Sequence, residues 1–296
     1  MTGLSHTNEP DTEIRQAAPS SSWRRDLRRM MRNPSLVTGA IILFVFFVVA
    51  IFANLLAPYP GNAQDIMHVL QRPSWAHPFG TDSIGRDIFS RVILGTRYSL
   101  AIAVLSVTIG ALIGIPVGLI SGYFGGRIDS ILMGFIDILL TIPVIVLAIA
   151  IVTVMGPGMV GLVVAISITF APRLARITRG RVFEVKEEVY VSAAQALGGT
   201  TRRVMTRHVL PNSFAPLIIE ITLRAGQAVL VGAALGFLGL GVQPPTPEWG
   251  TMLSRGRDYL QLAQFVVIAP GLAISLLVLG FNLFGDGLRD IWDPTG

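Results

Sequence analysis

Residues 138–172 read ILLTIPVIVLAIAIVTVMGPGMVGLVVAISITFAP, 35 positions without a charge. A helix crosses the hydrocarbon core of a bilayer with about 20 predominantly apolar residues. This run is too long for one such helix. Gly156-Pro157-Gly158 near its middle reads as a hairpin, because proline lacks the N–H that continues a helix and glycine accepts turn dihedrals. The stretch therefore predicts two apolar helices folded back on each other. Outward from it, Asn33 to Gln64, Tyr98 to Gly126, Ala225 to Pro247 and Tyr259 to Gly285 are also uncharged. The chain is expected to be an all-α polytopic membrane protein with six transmembrane helices, near residues 35–57, 98–121, 129–154, 159–177, 217–240 and 263–284. The third span starts near Ile128 and carries Asp129 and Asp137.

Composition agrees. Of 296 residues, 14% are charged and 52% apolar, and mean hydropathy is +0.64. A soluble domain carries about 25% charge, so this chain has too few charges to cover a water-facing surface. No cysteine is present, which excludes disulfides and thiolate metal sites. The four histidines, His6, His68, His77 and His208, do not form a multi-histidine metal pattern. The net charge of +5 is mostly arginine. No basic stretch is interleaved with aromatic residues, so no nucleic-acid partner is expected.

The chain carries no energy source of its own. A P-loop needs a lysine followed by Ser or Thr, whereas the single lysine, Lys186, precedes Glu187. The string Gly156-Pro157-Gly158-Met159-Val160-Gly161 fits G-x-G-x-x-G literally. It joins two apolar spans, however, and has no acidic residue about 20 positions on, so it is read as the hairpin and not a dinucleotide loop. No histidine falls in a span and no G-x-S-x-G occurs. Asp129 and Asp137 lie eight apart on one helix and cannot meet as a catalytic pair without a bend. No enzyme activity, catalytic residue or metal site is expected.

An even number of spans puts both termini on one side. With the N-terminus inside, inner segments hold 16 basic residues and outer ones six, including Arg72, Arg86, Arg91, Arg97, Arg255 and Arg257. This bias, with Arg24, Arg25, Arg28, Arg29 and Arg32 beside span one, predicts cytoplasmic N- and C-termini. The apolar run of span one exceeds the 7–15 residues of a signal peptide and is read as an uncleaved anchor.

Three features within the spans invite a structural or functional reading. Gly110, Gly114, Gly118 and Gly122 repeat every four residues and so form one bare helix face for close packing, within the chain or against another subunit. Asp137 is the deepest acid of its span, and Glu220 and Arg224 are spaced to pair on one helix. These are polar groups of the solute pathway or structural ones. An ion-coupled secondary transporter is the alternative they would suit.

The loop of residues 180–211 is cytoplasmic and basic. Glu187 to Leu197 predicts a helix, with Glu187 and Glu188 in its first turn and Ala193, Ala194 and Ala196 leaving a slim surface. Ala194 is expected on the outward-docking face. Gly198-Gly199 stops this helix, and Thr200 or Thr201 caps a second one, through Val209 and before Pro211. The shape suits a plug for a partner's groove, or equally a helix lying in the membrane interface.

Ser192-Ala193-Ala194, Gly198 and Leu210-Pro211 resemble the EAA loop of ABC importer permeases, with Ser192 at the position of that motif's Glu. Arg207 to Asn212, Leu235 to Gly250, Phe79-Gly80-Thr81-Asp82 with Gly85-Arg86-Asp87, and Asn282 to Asp290 with Asp293-Pro294 are similar to the peptide-importer version. Over roughly residues 24–294 the chain resembles the C-type permease subunit of dipeptide/oligopeptide ABC importers. The resemblance implies the type I importer permease fold in a bacterial cytoplasmic (inner) membrane. It implies a second, B-type permease, two ABC ATPase subunits or domains, an extracytoplasmic solute-binding protein and surrounding membrane lipid as partners. ATP and magnesium are then expected on the partner ATPases, with no cofactor on this chain. The 187–197 helix becomes the ATPase-coupling helix, involving Glu187, Glu188, Ser192, Ala193, Ala194, Gly198, Leu210 and Pro211. Related systems import glutathione, opines, nickel complexes or sugars.

The expected division is a disordered cytoplasmic tail (1–22), an N-terminal anchor helix and extracytoplasmic loop (23–97), a transmembrane core (98–287) with the coupling loop 180–211, and a cytoplasmic tail (288–296). In the outer loop, Asp87 to Arg97 predicts a separate amphipathic helix. The resemblance implies that this loop caps the outer mouth and meets the binding protein; the stretch Pro244 to Gly250 is stiffened by three prolines, with Trp249 expected at the membrane interface.

Overall fold

The computed structural model describes residues 30–292. The expected tail 1–22, Arg24, Arg25, Arg28, Arg29 and the end of the C-terminal tail from Asp293 onward lie outside them. Ten α-helices occur among the described residues: α1 Pro34–Leu56, α2 Ile88–Phe124, α3 Gly126–Thr141, α4 Val144–Met155, α5 Met159–Lys186, α6 Val189–Ala196, α7 Thr201–Val204, α8 Leu210–Phe237, α9 Trp249–Gly256 and α10 Phe265–Trp292. Helices α1, α2, α5, α8 with α7, and α10 are each long and apolar enough to span a membrane, and α3 with α4 makes a sixth if counted as one bent span. In a bilayer only structures that satisfy every backbone polar group internally are stable, and a helix does this residue by residue. The chain is a multi-pass membrane protein.

Four expectations need correction. The span 129–154 is not one straight helix: α3 and α4 meet at 94°. Pro143 has no N–H to offer and pushes Ile142 into an extended conformation (ψ 128°). The helix over 87–97 is not separate: residues 88–97 are helical but form the first turns of α2, which runs unbroken for 37 residues. Asp87 caps its start, accepting from Ser90 N at 2.7 Å, and no residue between 88 and 97 breaks the backbone ladder. The helix expected over Glu187 to Leu197 begins at Val189, with Glu188 as its N-cap residue and Glu187 ending α5. The second loop helix does not stop before Pro211. It passes through a π-turn, Met205–Val209, into α8. There Leu210 N donates to Met205 O, five residues back. Pro211 follows directly on this π-turn, as the second residue of α8.

The hairpin glycines take positive φ, 88° at Gly156 and 139° at Gly158, and let α4 turn back into α5. The longest packing seam joins α2 to α5. Gly114 and Gly118 of α2 lie so close to the α5 backbone that an added Cβ would collide with the carbonyls of Ala171 and Ala175. Gly122 faces Val182, and Gly110 faces Ser167. On this seam the four glycines bring two backbones together within the chain. Helix α10 crosses α1 in the same manner, with Gly39 of α1 against the backbone of Gly280 to Phe284. The core between α2, α5, α8 and α10 is closed by Ile102, Ile166, Leu235 and Leu277.

Candidate functional site

At one end of the helix bundle, α5, α6, α7 and the π-turn fold into an elbow. Val182, Val191, Val204 and Val209 are fully buried at its centre, with Val185 and Leu119 beside them. Helix α6 ends as the glycine pair predicts: Gly198 has φ +80°, and Gly199 N donates to Ala194 O at 3.0 Å. Thr200 then accepts from Arg203 N at 3.4 Å and starts α7. Each surface of α6 thus has a defined role. Val191 points inward, and Ala194 is half-buried against the valine cluster. Val189, Ala193, Ala196 and Leu197 are exposed. Val189 and Leu197 retain 82% and 89% of their accessible surface, an apolar stripe at helical spacing.

This geometry moves the outward face by one residue from the expectation. Ala193, not Ala194, occupies it, because Val191 anchors the helix and Ala194 lies three positions on, over the same turn. Ser192 is exposed, as are Glu187 and Glu188 at the junction with α5. Neither glutamate forms an ion pair among the described residues. Leu210 is half-buried against the valine cluster and anchors the start of α8, whereas Pro211 is exposed.

A second polar region lies within the spans. Glu220 and Arg224 of α8 pair as their spacing predicts, Arg224 Nε donating to Glu220 Oε1 at 2.6 Å. The sequence did not indicate the companions. Arg224 also donates to Gln227, Arg173 of α5 stands 3.9 Å from Glu220, and Arg176 donates to Asp137. Asp137 therefore belongs to a pair across α3 and α5. Asp129 is likewise claimed, by Arg179 and Ser121. The signal for these pairs was the three-residue spacing of Arg173, Arg176 and Arg179 on α5, which remains silent until α3 is folded beside it.

At the other end, residues 57–87 and 238–264 form a cap. The motif Phe79-Gly80-Thr81-Asp82 with Gly85-Arg86-Asp87 is explained by its turn. Asp82 accepts from Ile84 N and Arg86 N, both at 3.0 Å, and from Arg86 Nε at 2.6 Å. Gly85 (φ +78°) passes so close to Asp65 that no Cβ fits. His77 lies 3.0 Å from Asp87 and 5.0 Å, ring to ring, from Tyr59. Arg97 donates to the carbonyls of Ala50 (2.5 Å) and Ile51 (2.8 Å), beside the non-helical Phe52 of α1. Trp249 is fully buried, its Nε1 donating to Val92 O at 3.0 Å. Beside it, Glu248 caps α9 by accepting from Gly250 N (2.7 Å) and Thr251 N (2.9 Å). Burial holds the Glu248 carboxyl above its ordinary range, against the opposing pull of these donors. Among the described residues no cluster of His, Cys, Asp or Glu fits a metal ion.

Residues 114–295 match the family described as binding-protein-dependent transport system inner membrane component. Residues 21–73 match the N-terminal TM domain of oligopeptide transport permease C. The dipeptide transport system permease protein DppC of Alkalihalophilus pseudofirmus is 44% identical, over 97% of this chain and 94% of its own length. The glutathione transport system permease protein GsiD of Pectobacterium atrosepticum is 42% identical, over 95% and 94%. In shape the chain is similar to the MetNI methionine ABC transporter in an inward facing conformation, with TM-score 0.56 at 21% identity, covering 68% of this chain and 96% of that one. A second crystal form of that transporter gives TM-score 0.57 at 20% identity, covering 69% and 97%. The elbow after α5, the six-span helical architecture and these likenesses have one reading: the chain belongs to the binding-protein-dependent transport system inner membrane component family, the permeases of ABC importers.

Proposed function

We propose that this chain pairs with a second permease to form the membrane path of an ATP-driven importer for dipeptides and oligopeptides. The solute is delivered by an extracytoplasmic binding protein, and ATP is hydrolysed with magnesium on two separate ATPase subunits. The termini lie in the cytoplasm, so that the α6 elbow faces the ATPases and the 57–87 cap faces the binding protein. The observation that carries the reading is the elbow itself. Its valines fix α6 rigidly on α5 and α8, while the Val189, Ala193 and Leu197 stripe is left uncovered. An exposed apolar stripe on a small, anchored helix fits a partner's groove. Motion of that partner would then pass straight into two spans, because α7, the π-turn and α8 form one continuous rod.

The solute class rests on the relatives, whose names specify a dipeptide and glutathione, itself a short peptide. The test is co-expression with the binding protein, permease and ATPases encoded beside it. A complex retaining two ATPase copies, with uptake of labelled dipeptide, supports the reading. A chain that purifies alone and carries peptide without them contradicts it.

A further inference from the structure

Two arginines of α5 reach acids on neighbouring spans, Arg173 towards Glu220 of α8 and Arg176 to Asp137 of α3. Arg224 lies 14 residues after Leu210 and 13 before Phe237. Arg173 lies 14 residues after Met159 and 13 before Lys186. At 1.5 Å per residue, Arg224 is about 20 Å from Phe237 and Arg173 about 20 Å from Met159, less than the ~30 Å of a hydrocarbon core. Yet this mid-helix face is open in the chain: the side chains of Arg173, Arg176 and Asp137 retain 51%, 47% and 56% of their accessible surface. Ionised groups at such depth are costly against lipid tails and mark a water-filled or protein-covered surface. The outward residues of α1 are of the opposite kind, with Phe44, Ile51 and Leu55 exposed, as a lipid-facing helix requires. The molecule therefore has two exposed faces of different chemistry.

The polar face comprises Asp137, Arg173, Arg176, Glu220, Arg224 and Gln227. Three arginines against two acids leave one positive charge over. The loosest is Arg173, whose single ion pair among the described residues is the 3.9 Å approach to Glu220. Beside the face, a cavity of about 470 Å³ opens between α5, α8 and the C-terminal end of α10, lined by Ile177, Arg181, Glu220, Leu223, Arg289 and Trp292.

We propose that this face lines the aqueous route of the solute and that Arg173 receives a free carboxylate of it. The proposal rests on the reading of the chain as a peptide-importing permease and adds the group that is held in passage. A guanidinium fork matches a carboxylate in two parallel hydrogen bonds. Glu220, held by Arg224, competes for Arg173 and keeps the contact transient. A path must bind strongly enough to admit a solute and weakly enough to release it.

The absence of cysteine makes a direct test possible. In the assembled transporter, with partner cysteines replaced, Gln227→Cys and Ile177→Cys are treated with a charged, impermeant methanethiosulfonate in inside-out vesicles. Phe44→Cys is the lipid-face control. Both path positions should react at least about tenfold faster than the control, as thiolate chemistry needs water. Rates at both positions as slow as at Phe44, with peptide uptake intact, would overturn the path face. Arg173→Gln then tests the carboxylate, with uptake of a dipeptide and of its C-terminal amide each normalised to wild type. The free acid should lose about tenfold more than the amide, the scale of one charge-assisted contact. Equal losses would overturn the role of Arg173. A complex that carries no peptide at all would instead remove the peptide reading while leaving the thiol result standing.

Discussion

Arg179 holds Asp129 with both arms of its guanidinium, Nε to Oδ1 at 2.5 Å and Nη2 to Oδ2 at 2.6 Å. The pair ties the first turn of α3 to α5, so that the hairpin between spans is braced at a second point besides Gly156-Pro157-Gly158. Asp129 is largely buried, and leaving it without this partner strands a carboxylate. Arg179→Lys keeps the charge but loses the fork. We expect a loss of about 1–2 kcal/mol for that change and more for Arg179→Ala, read as a lower thermal unfolding midpoint of the purified complex.

On the elbow, Ala193 and Ala194 should respond differently to the same substitution. Ala193→Arg places a long cation in the exposed stripe and should leave the permease folded while the ATPase subunits no longer co-purify. Burying an unpaired charge there costs several kcal/mol, and each 1.4 kcal/mol is tenfold in affinity. Ala194→Arg instead presses on the valine cluster and should lower the yield of the permease itself. Normal co-purification and uptake with Ala193→Arg would remove the stripe as a docking face.

The glycine seam makes a prediction with an internal control. Gly118→Ala adds a Cβ where the Ala175 carbonyl stands, whereas Gly134→Ala on α3 meets open space. Both exchanges favour helix by about 1 kcal/mol. Overpacking at Gly118 should outweigh this and destabilise by about 1–3 kcal/mol, whereas Gly134→Ala should be neutral or stabilising in a thermal melt.

Glu248 gives a pH dependence with a definite sign. Its folded pKa lies above the unfolded value because burial penalises the carboxylate. The folded state therefore binds the proton more tightly. This contribution is fully present below the unfolded pKa and is lost as pH rises through the folded one. Melting profiles from acid to neutral pH should show this decline in the wild type and a flatter course in Glu248→Gln. An identical slope in both would assign the effect elsewhere.

The spans were legible because hydropathy alone selects them, and the hairpin because two glycines flank a proline. The stripe from Gly110 to Gly122 was legible as a bare face, though not its partner, since spacing says nothing about what lies opposite. The bend at Pro143 was missed inside an uninterrupted apolar run, where proline inside a helix has no fixed consequence. Pro116, Pro172 and Pro270 sit inside helices that continue. Extending α2 to 37 residues needed knowledge that nothing stops the backbone between Asp87 and Arg97. On the elbow, composition gave the alanines but not their facing, because one anchoring contact, Val191, sets the rotation of a helix only eight residues long. The arginines of α5 read as a basic loop by charge counting, yet three of them find carboxylates on other helices. Such pairings exist only in three dimensions.

We propose that this chain moves solute with energy supplied by ATPases docked on its elbow. The most direct measurement is uptake of a labelled dipeptide into proteoliposomes holding the reconstituted complex, with the binding protein outside. The account predicts uptake when ATP and magnesium are enclosed on the elbow's side, none with a non-hydrolysable analogue, and indifference to a proton gradient. Uptake that continues without ATP and follows the proton gradient would contradict it.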